Sequence, residues 1–150
     1  LKPFNCKILS YDILDFPEFY NEYGVLPSGL EYLLELSDVV SIHLPLDHST
    51  KNILTEERLQ LMRSDAILIN LARGGLVDEV ALKKLLLSKK IAGAAIDVFS
   101  VEPPQDPDFS CMDNVLVTPH IGGSTKEAIY SMGMAAIDGL DNAKDPLDLK

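Results

Sequence analysis

The chain has 150 residues, 47% of them hydrophobic and 24% charged, which is typical of one globular domain with a core of its own. Its net charge of -10 argues against nucleic acid as a partner, because a polyanion is bound by a basic surface. The two cysteines, Cys6 and Cys111, lack the spacing of metal ligands, and no apolar run is long enough to cross a membrane. We therefore expect a cytoplasmic protein with reduced thiols, no metal site and no membrane partner.

Five short apolar runs predict β-strands, because their lengths suit strands better than helices. The third and fourth runs are apolar at nearly every position, as in strands that are buried on both faces of a sheet. The predicted strands are 7–11, 38–44, 66–71, 91–98 and 115–117. Between the first run and the first predicted helix, residues 15–24 are polar and aromatic and are predicted to form a loop.

Four places after these runs carry a polar residue that can cap the first turn of a helix. The predicted starts are at Ser28, Thr55, Asp78 and Ser124, and the last helix is predicted to run to about Leu140. Ser28 and Ser124 each stand three residues before a glutamate, the pattern of a capping box. Alternating strands and helices with short connections favour parallel strands joined by right-handed crossovers. The predicted fold class is α/β, a Rossmann-like doubly wound parallel sheet.

Such a sheet normally carries a G-x-G-x-x-G turn after its first strand, followed roughly 20 residues later by an acidic residue for the ribose of a dinucleotide. None of the nine glycines forms this motif, yet Asp12 ends a strand as the ribose acid should. We therefore expect the glycine turn upstream of Leu1 and a sheet that is incomplete at its N-terminal edge. The carboxylate of Asp12 favours NAD over NADP; a plain turn aspartate is the alternative.

Three charged residues stand in turns that each follow an apolar run: Arg73, Glu102 and His120. The ends of parallel strands are where an open α/β sheet binds its ligands. A guanidinium grips a planar carboxylate, an imidazole moves a proton near neutral pH, and a carboxylate orients the imidazole ring. The combination suits the interconversion of a 2-hydroxy acid and a 2-keto acid.

The segments around Arg73, 97–104 and 119–125 together resemble the signatures of the D-isomer-specific 2-hydroxyacid dehydrogenases, and the resemblance extends from about Lys7 to about Leu140. It implies an NAD-dependent oxidoreductase in which residues 1–150 are a partial NAD-binding domain, the C-terminal part of a longer dehydrogenase. It also implies a homodimer of the full-length protein and a small 2-hydroxy or 2-keto acid as substrate. The GGST sequence after His120 leans toward the phosphoglycerate-type members.

The resemblance also implies roles for individual residues. Arg73 would grip the substrate carboxylate, Glu102 and His120 would pair for proton transfer, and Asp97 would meet the nicotinamide carboxamide. The cofactor-binding residues implied are Asp12, Pro45, Thr50, Leu71, Ala72, Arg73, Asp97, His120 and Gly122.

Several alternatives stay open. Asp97 could simply cap a turn, and His43, at the end of a strand, is assigned a packing role ahead of one beside the adenine. The whole protein could be an NAD-sensing corepressor that resembles a dehydrogenase, or the chain could be a truncated, inactive domain. The isolated 150 residues are expected to lack turnover in any case, because half of the cleft would be missing.

Overall fold

A computed structural model describes residues 2–143 of the chain. A short 3-10 helix at Lys2–Phe4 leads into the regular elements. The strands are β1 (Ile8–Ser10), β2 (Val25–Pro27), β3 (Val39–Ile42), β4 (Ile67–Asn70), β5 (Gly93–Ile96) and β6 (Val115–Val117). The helices are α1 (Pro17–Tyr23), α2 (Leu30–Leu36), α3 (Glu56–Gln60), α4 (Glu79–Leu87), α5 (Pro107–Ser110) and α6 (Lys126–Asp141). Within the described range, no helix combines the length and apolar character that a membrane crossing requires.

The strands form two parallel sheets. Strands β3, β4, β5 and β6 pair in that order, with Val39 opposite Ile67 and Ile67 opposite Gly93, while β1 and β2 form a separate pair. Consecutive strands that run parallel require a crossover between them, and the helices supply it. The predicted fold class is therefore confirmed, and the interruption in the sheet lies between β1 and β3.

The core lies on one face of the four-stranded sheet. The inward residues alternate along each strand, as Val40 and Ile42 do on β3, and helices α2, α3 and α4 cover them with leucines. Leu34, Leu59 and Leu82 are completely buried there. On the opposite face, Val39, Ile67 and Leu116 are 53%, 41% and 65% exposed. A doubly wound sheet carries helices on both faces. Within the described residues, helices cover one face of this four-stranded sheet and leave the other face exposed.

Two predicted caps are confirmed: Thr55 accepts a hydrogen bond from Arg58 N–H, and Asp78 accepts one from Ala81 N–H. Two are wrong by one residue. Helix α2 follows Gly29, which makes no side-chain cap, and Ser28 Oγ donates to Gly29 O instead. Helix α6 is capped by Thr125, whose hydroxyl accepts from Ala128 N–H, because the chain turns helical one residue later than the Ser124 pattern indicates.

The loop predicted at residues 15–24 is also wrong. Proline at the first position of a helix and glycine just past its end fit α1, where Pro17 opens the helix and Gly24 closes it at a left-handed φ of 66°. Tyr20 is the buried residue of this helix, and Val25 then begins β2. The short helix α5 was not anticipated by the sequence either.

Candidate active site

The strands of each sheet run parallel, so their carboxyl ends bring the predicted site residues to one edge. Asp12 follows β1, and the loop of Pro45 and Thr50 follows β3. Arg73 follows β4, and Asp97 directly follows β5. His120 follows β6 by three residues.

The loop of Arg73 is fixed by a buried amide that sequence reasoning overlooked. Asn70, 2% exposed at the end of β4, donates through Nδ2 to Arg73 O at 3.0 Å and accepts from Ala72 N–H at 3.2 Å. The guanidinium itself is exposed and donates through Nη1 to Ala72 O at 2.7 Å. The sequence signal for this role was Asn70 itself, a polar residue within an otherwise apolar strand, since a buried amide needs fixed hydrogen-bond partners.

Gly74 joins the Arg73 loop to the loop that carries Glu102. A Cβ on Gly74 would lie 1.9 Å from Phe99 O and 2.5 Å from Ser100 N, so only glycine permits this backbone contact. Ser100 is anchored on its other side by Glu79 of α4, which accepts from Ser100 N–H at 2.7 Å and from its hydroxyl at 2.9 Å. The turn after β5 is therefore held from two directions.

Glu102 and His120 form a hydrogen-bonded pair across two loops. His120 Nδ1 lies 2.8 Å from Glu102 Oε2, and Glu102 Oε1 accepts a hydrogen bond from Phe99 N–H at 3.0 Å. The hydrogen bond from His120, followed by that from Phe99, lowers the pKa of Glu102 below its ordinary value. The His120 side chain is half exposed, and its engaged Nδ1 leaves Nε2 as the ring nitrogen that a substrate can meet.

His120 has a left-handed backbone, with φ of 53°, and Asp97 fixes the chain on both sides of it. Asp97 is 3% exposed; its Oδ1 accepts from Thr118 Oγ1 and from Ile121 N–H, and its Oδ2 accepts from Gly122 N–H at 2.9 Å. Burial alone would raise the pKa of Asp97, but these hydrogen bonds outweigh it and leave the pKa below its ordinary value. The anchoring part played by Thr118 had no distinct signal in the sequence.

The residues that follow β3 are occupied within their own loop. Thr50 Oγ1 donates to Pro45 O at 2.7 Å and accepts from Asp47 N–H at 2.8 Å. His43 is exposed, and its Nε2 pairs with Ser41 Oγ at 2.9 Å, so the packing role predicted for His43 is wrong. Leu71 directly follows β4, the strand that pairs with β3, and its side chain is 56% exposed.

The acceptors at this edge suit a dinucleotide. Asp12 is exposed, and its Oδ1 accepts a hydrogen bond from Leu14 N–H, which leaves carboxylate capacity for ribose hydroxyls. Asp97 uses three of about four acceptor sites, so its Oδ2 can take one further donor such as a carboxamide. Among residues 2–143, no cluster of three histidine, cysteine or acidic side chains could hold a metal ion.

Comparison with known proteins gives consistent matches. A sequence profile described as "D-isomer specific 2-hydroxyacid dehydrogenase, NAD binding domain" matches residues 1–122. D-3-phosphoglycerate dehydrogenase of Methanocaldococcus jannaschii is 41% identical over 133 residues, which are 88% of this chain and 25% of that protein.

Solved structures agree with the sequence matches. A glyoxylate reductase from Paecilomyes thermophila has a TM-score of 0.88 at 32% identity, over 95% of this chain and 43% of the other. D-Lactate dehydrogenase from Aquifex aeolicus, complexed with NAD and lactic acid, has a TM-score of 0.81 at 30% identity, over 93% of this chain and 47% of the other. The chain spans less than half the length of each of these relatives.

Proposed function

The chain belongs to the D-isomer specific 2-hydroxyacid dehydrogenase family, through its NAD binding domain, and on this premise we propose that it is the catalytic nucleotide-binding part of an NAD-dependent oxidoreductase. The reaction is the interconversion of a D-2-hydroxy acid and its 2-keto acid. The observation that carries the proposal is the 2.8 Å contact between Glu102 and His120, in a loop that Asp97 fixes at the carboxyl edge of the sheet.

His120 is the acid and base of this proposal. During reduction, Nε2 of the protonated ring gives its proton to the keto oxygen, and during oxidation the neutral ring takes the proton from the hydroxyl. Glu102 holds Nδ1, which orients the ring and leaves Nε2 to face the substrate oxygen. NAD, when bound, supplies or accepts the hydride.

Arg73 is the substrate-binding cation. Its guanidinium is exposed, while Asn70 and Gly74 fix the backbone that carries it. A planar guanidinium can bind a carboxylate through two parallel hydrogen bonds, and this would set the keto carbon of the substrate against the nicotinamide.

We assign NAD binding to the same edge of the sheet. Asp12 would bind the adenosine ribose, and the remaining acceptor site of Asp97 would bind the carboxamide. Pro45, Thr50, Leu71, Ala72 and Gly122 would line the cofactor through their loops. We further propose that the chain acts within a longer cytoplasmic dehydrogenase that forms a homodimer.

A chimera tests the function directly. In it, this chain replaces the segment that it matches in the Methanocaldococcus jannaschii enzyme, and NAD-dependent oxidation of D-3-phosphoglycerate is measured. We expect activity, and a loss of roughly 100-fold or more in His120→Ala. His48→Ala, in an exposed loop, is the matched control.

The outcomes separate the alternatives. A chimera that folds but shows no oxidation, or one whose His120→Ala variant matches the His48→Ala control, would contradict the proposal. Activity would exclude a chain that serves only as an NAD-sensing corepressor. The isolated 150 residues are expected to bind NAD weakly in calorimetry and to show no steady NADH consumption with pyruvate, glyoxylate or hydroxypyruvate, because water reaches the reacting edge.

A further inference from the structure

Helix α4 contacts the part of the chain that carries Glu102. That part is residues 99–106, which lie between β5 and α5 and are called the Glu102 segment below. In the first turn of α4, Glu79 accepts hydrogen bonds from Ser100 N–H at 2.7 Å and from the Ser100 hydroxyl at 2.9 Å. Both carboxylate oxygens of Glu79 are therefore engaged near the start of the segment.

A second hydrogen bond from α4 holds the far end of the segment. Lys83 Nζ donates to Asp106 Oδ2 at 2.5 Å, and this bond lowers the pKa of Asp106 below its ordinary value. Lys83 follows Glu79 by four residues, so both side chains project from one face of the helix. Helix α4 thus holds the chain both before and after Glu102.

The two anchors converge on Phe99. Ser100 is its neighbour in the chain, and Asp106 caps α5 by accepting a hydrogen bond from Phe109 N–H at 3.2 Å. The Phe109 ring packs edge to face on the Phe99 ring, with centroids 6.0 Å apart. Both phenylalanines are buried, and closely packed side chains transmit displacement, so a shift of either anchor reaches the Phe99 backbone.

The Phe99 backbone sets the position of the Glu102 carboxylate. Phe99 N–H donates to Glu102 Oε1 at 3.0 Å, while Oε2 of the same carboxylate lies 2.8 Å from His120 Nδ1. The Glu102 side chain is 38% exposed, so without this backbone hydrogen bond it could adopt several rotamers. The contact between Glu102 and His120 therefore depends on where Phe99 is held.

We propose that α4 is a positioning helix, in which Glu79 and Lys83 fix the Glu102 segment so that its carboxylate stays on His120. The inference rests on the proposed function, in which His120 transfers the proton. Glu79 and Lys83 are positioning residues, because they act through the segment. Loss of either anchor should slow proton transfer without weakening substrate binding, since the substrate-binding loop is fixed separately by Asn70.

Five variants separate this role from general stabilisation of α4. Glu79→Leu removes both acceptors of Ser100, whereas Glu79→Gln keeps an acceptor for the N–H and a donor for the hydroxyl. Glu56→Leu is the matched control, because Glu56 is likewise the first residue of its helix and loses the same interaction with the helix dipole. Lys83→Met is matched by Lys84→Met, since Lys84 pairs with Glu56 of α3 at 3.7 Å.

Amide hydrogen exchange of the 150-residue protein measures the positioning without any turnover. We expect exchange at Phe99 to accelerate roughly tenfold in Glu79→Leu, because the hydrogen bond from its N–H to the carboxylate loses its support. Lys83→Met should accelerate exchange at Phe99 about twofold to fivefold, the scale of a partly exposed ion pair. Glu79→Gln and both controls should exchange at the wild-type rate.

A titration of the Glu102 carboxyl group by 13C NMR gives a second measurement on the same protein. Hydrogen bonds from His120 and from Phe99 lower the pKa of Glu102, whereas burial and the charge of Asp97 oppose this shift. In Glu79→Leu the pKa of Glu102 should rise toward its ordinary value, because both hydrogen bonds loosen. In Glu79→Gln it should stay at the wild-type value, because the segment is still held.

Kinetics of the Methanocaldococcus jannaschii chimera connect the positioning to the reaction. We expect kcat for D-3-phosphoglycerate oxidation to fall roughly tenfold in Glu79→Leu, since a displaced base slows proton transfer. KM should stay within about twofold, since substrate binding is retained. Glu79→Gln should restore kcat, and Glu56→Leu should leave both constants unchanged.

The measurements distinguish failure of this inference from failure of the proposed function. Exchange at Phe99 and a pKa of Glu102 that are equal in Glu79→Leu and its control would overturn the positioning role, and so would a raised KM with unchanged kcat. An inactive parent chimera would instead contradict the proposed function, and exchange and titration would still decide whether α4 holds Glu102. Should Glu79→Leu fail to fold, the comparison of Lys83→Met with Lys84→Met decides by the same two measurements.

Discussion

Replacing Asp97 by asparagine should loosen the loop that carries His120. Three donors converge on the two carboxylate oxygens: the Thr118 hydroxyl, Ile121 N–H and Gly122 N–H. An asparagine has one oxygen and one NH2 group, so in either orientation at least one backbone N–H faces a donor. The site is 3% exposed, so water cannot readily replace the lost acceptor.

The cost follows from that count. One buried donor left without an acceptor costs about 1–3 kcal/mol, and for a chain of this size each kcal/mol lowers the melting temperature by roughly 2–4 °C. We therefore expect Asp97→Asn to melt about 2–12 °C below the wild type. Exchange of the Gly122 and Ile121 amides should accelerate more than exchange in the β4–β5 ladder, because the lost contacts are local.

Calorimetric melting and amide exchange of the 150-residue protein measure both effects. Asp113→Asn makes the same chemical change at an exposed position and should remain within about 0.5 kcal/mol of the wild type. Equal melting of the two variants, with unaltered exchange at Gly122, would refute the anchoring of His120 by Asp97.

Two further predictions concern the neighbouring loops. In Gly74→Ala, the new Cβ must displace Phe99 O by about 1.5 Å to reach ordinary van der Waals contact, which should lower the free energy of unfolding by about 1–3 kcal/mol. Gly123→Ala is the control, because a Cβ there has no heavy atom within 4 Å, and it should melt like the wild type. The pKa of Glu102 is lower in the folded protein than in the unfolded chain, where it is about 4.3. Ionised Glu102 therefore stabilises the fold above about pH 4.3, and this stabilisation is lost as the pH falls through the folded pKa. The melting advantage of the wild type over Glu102→Gln should therefore shrink below about pH 4, and parallel curves from pH 3 to 7 would contradict the pairing.

Local patterns predicted the elements whose formation depends on local chemistry. Runs that are apolar at nearly every position identified β4 and β5, but the expected burial on both faces is wrong for the described residues, in which only alternate residues of each strand are buried. Thr55 and Asp78 were correct as caps, since a single side chain satisfies the first-turn N–H groups. Helix α1 was missed although Pro17 and Gly24 carry its start and stop signals, because its aromatic residues gave no clear apolar stripe.

The candidate site was predictable residue by residue but not as an assembly. Arg73, Glu102 and His120 could each be placed at a strand end, since turn residues and apolar runs are readable from the sequence. The contact of Gly74 with Phe99 joins residues 25 positions apart and depends on how two loops pack. The same is true of the three hydrogen bonds to Asp97, whose donors lie more than 20 residues further along the chain.

The order of the four-stranded sheet has a consequence for how the chain acquires its structure. Each of β3, β4 and β5 pairs with the strand that follows it in sequence, so every ladder of this sheet closes over one crossover. Native pairings between neighbours in sequence have a smaller loop-closure entropy than pairings between distant strands. We expect residues 39–117 to form the folding nucleus, with β1 and β2 docking afterwards. During synthesis on the ribosome, β1 and β2 would then leave the exit tunnel before β3–β6 and yet become ordered after them.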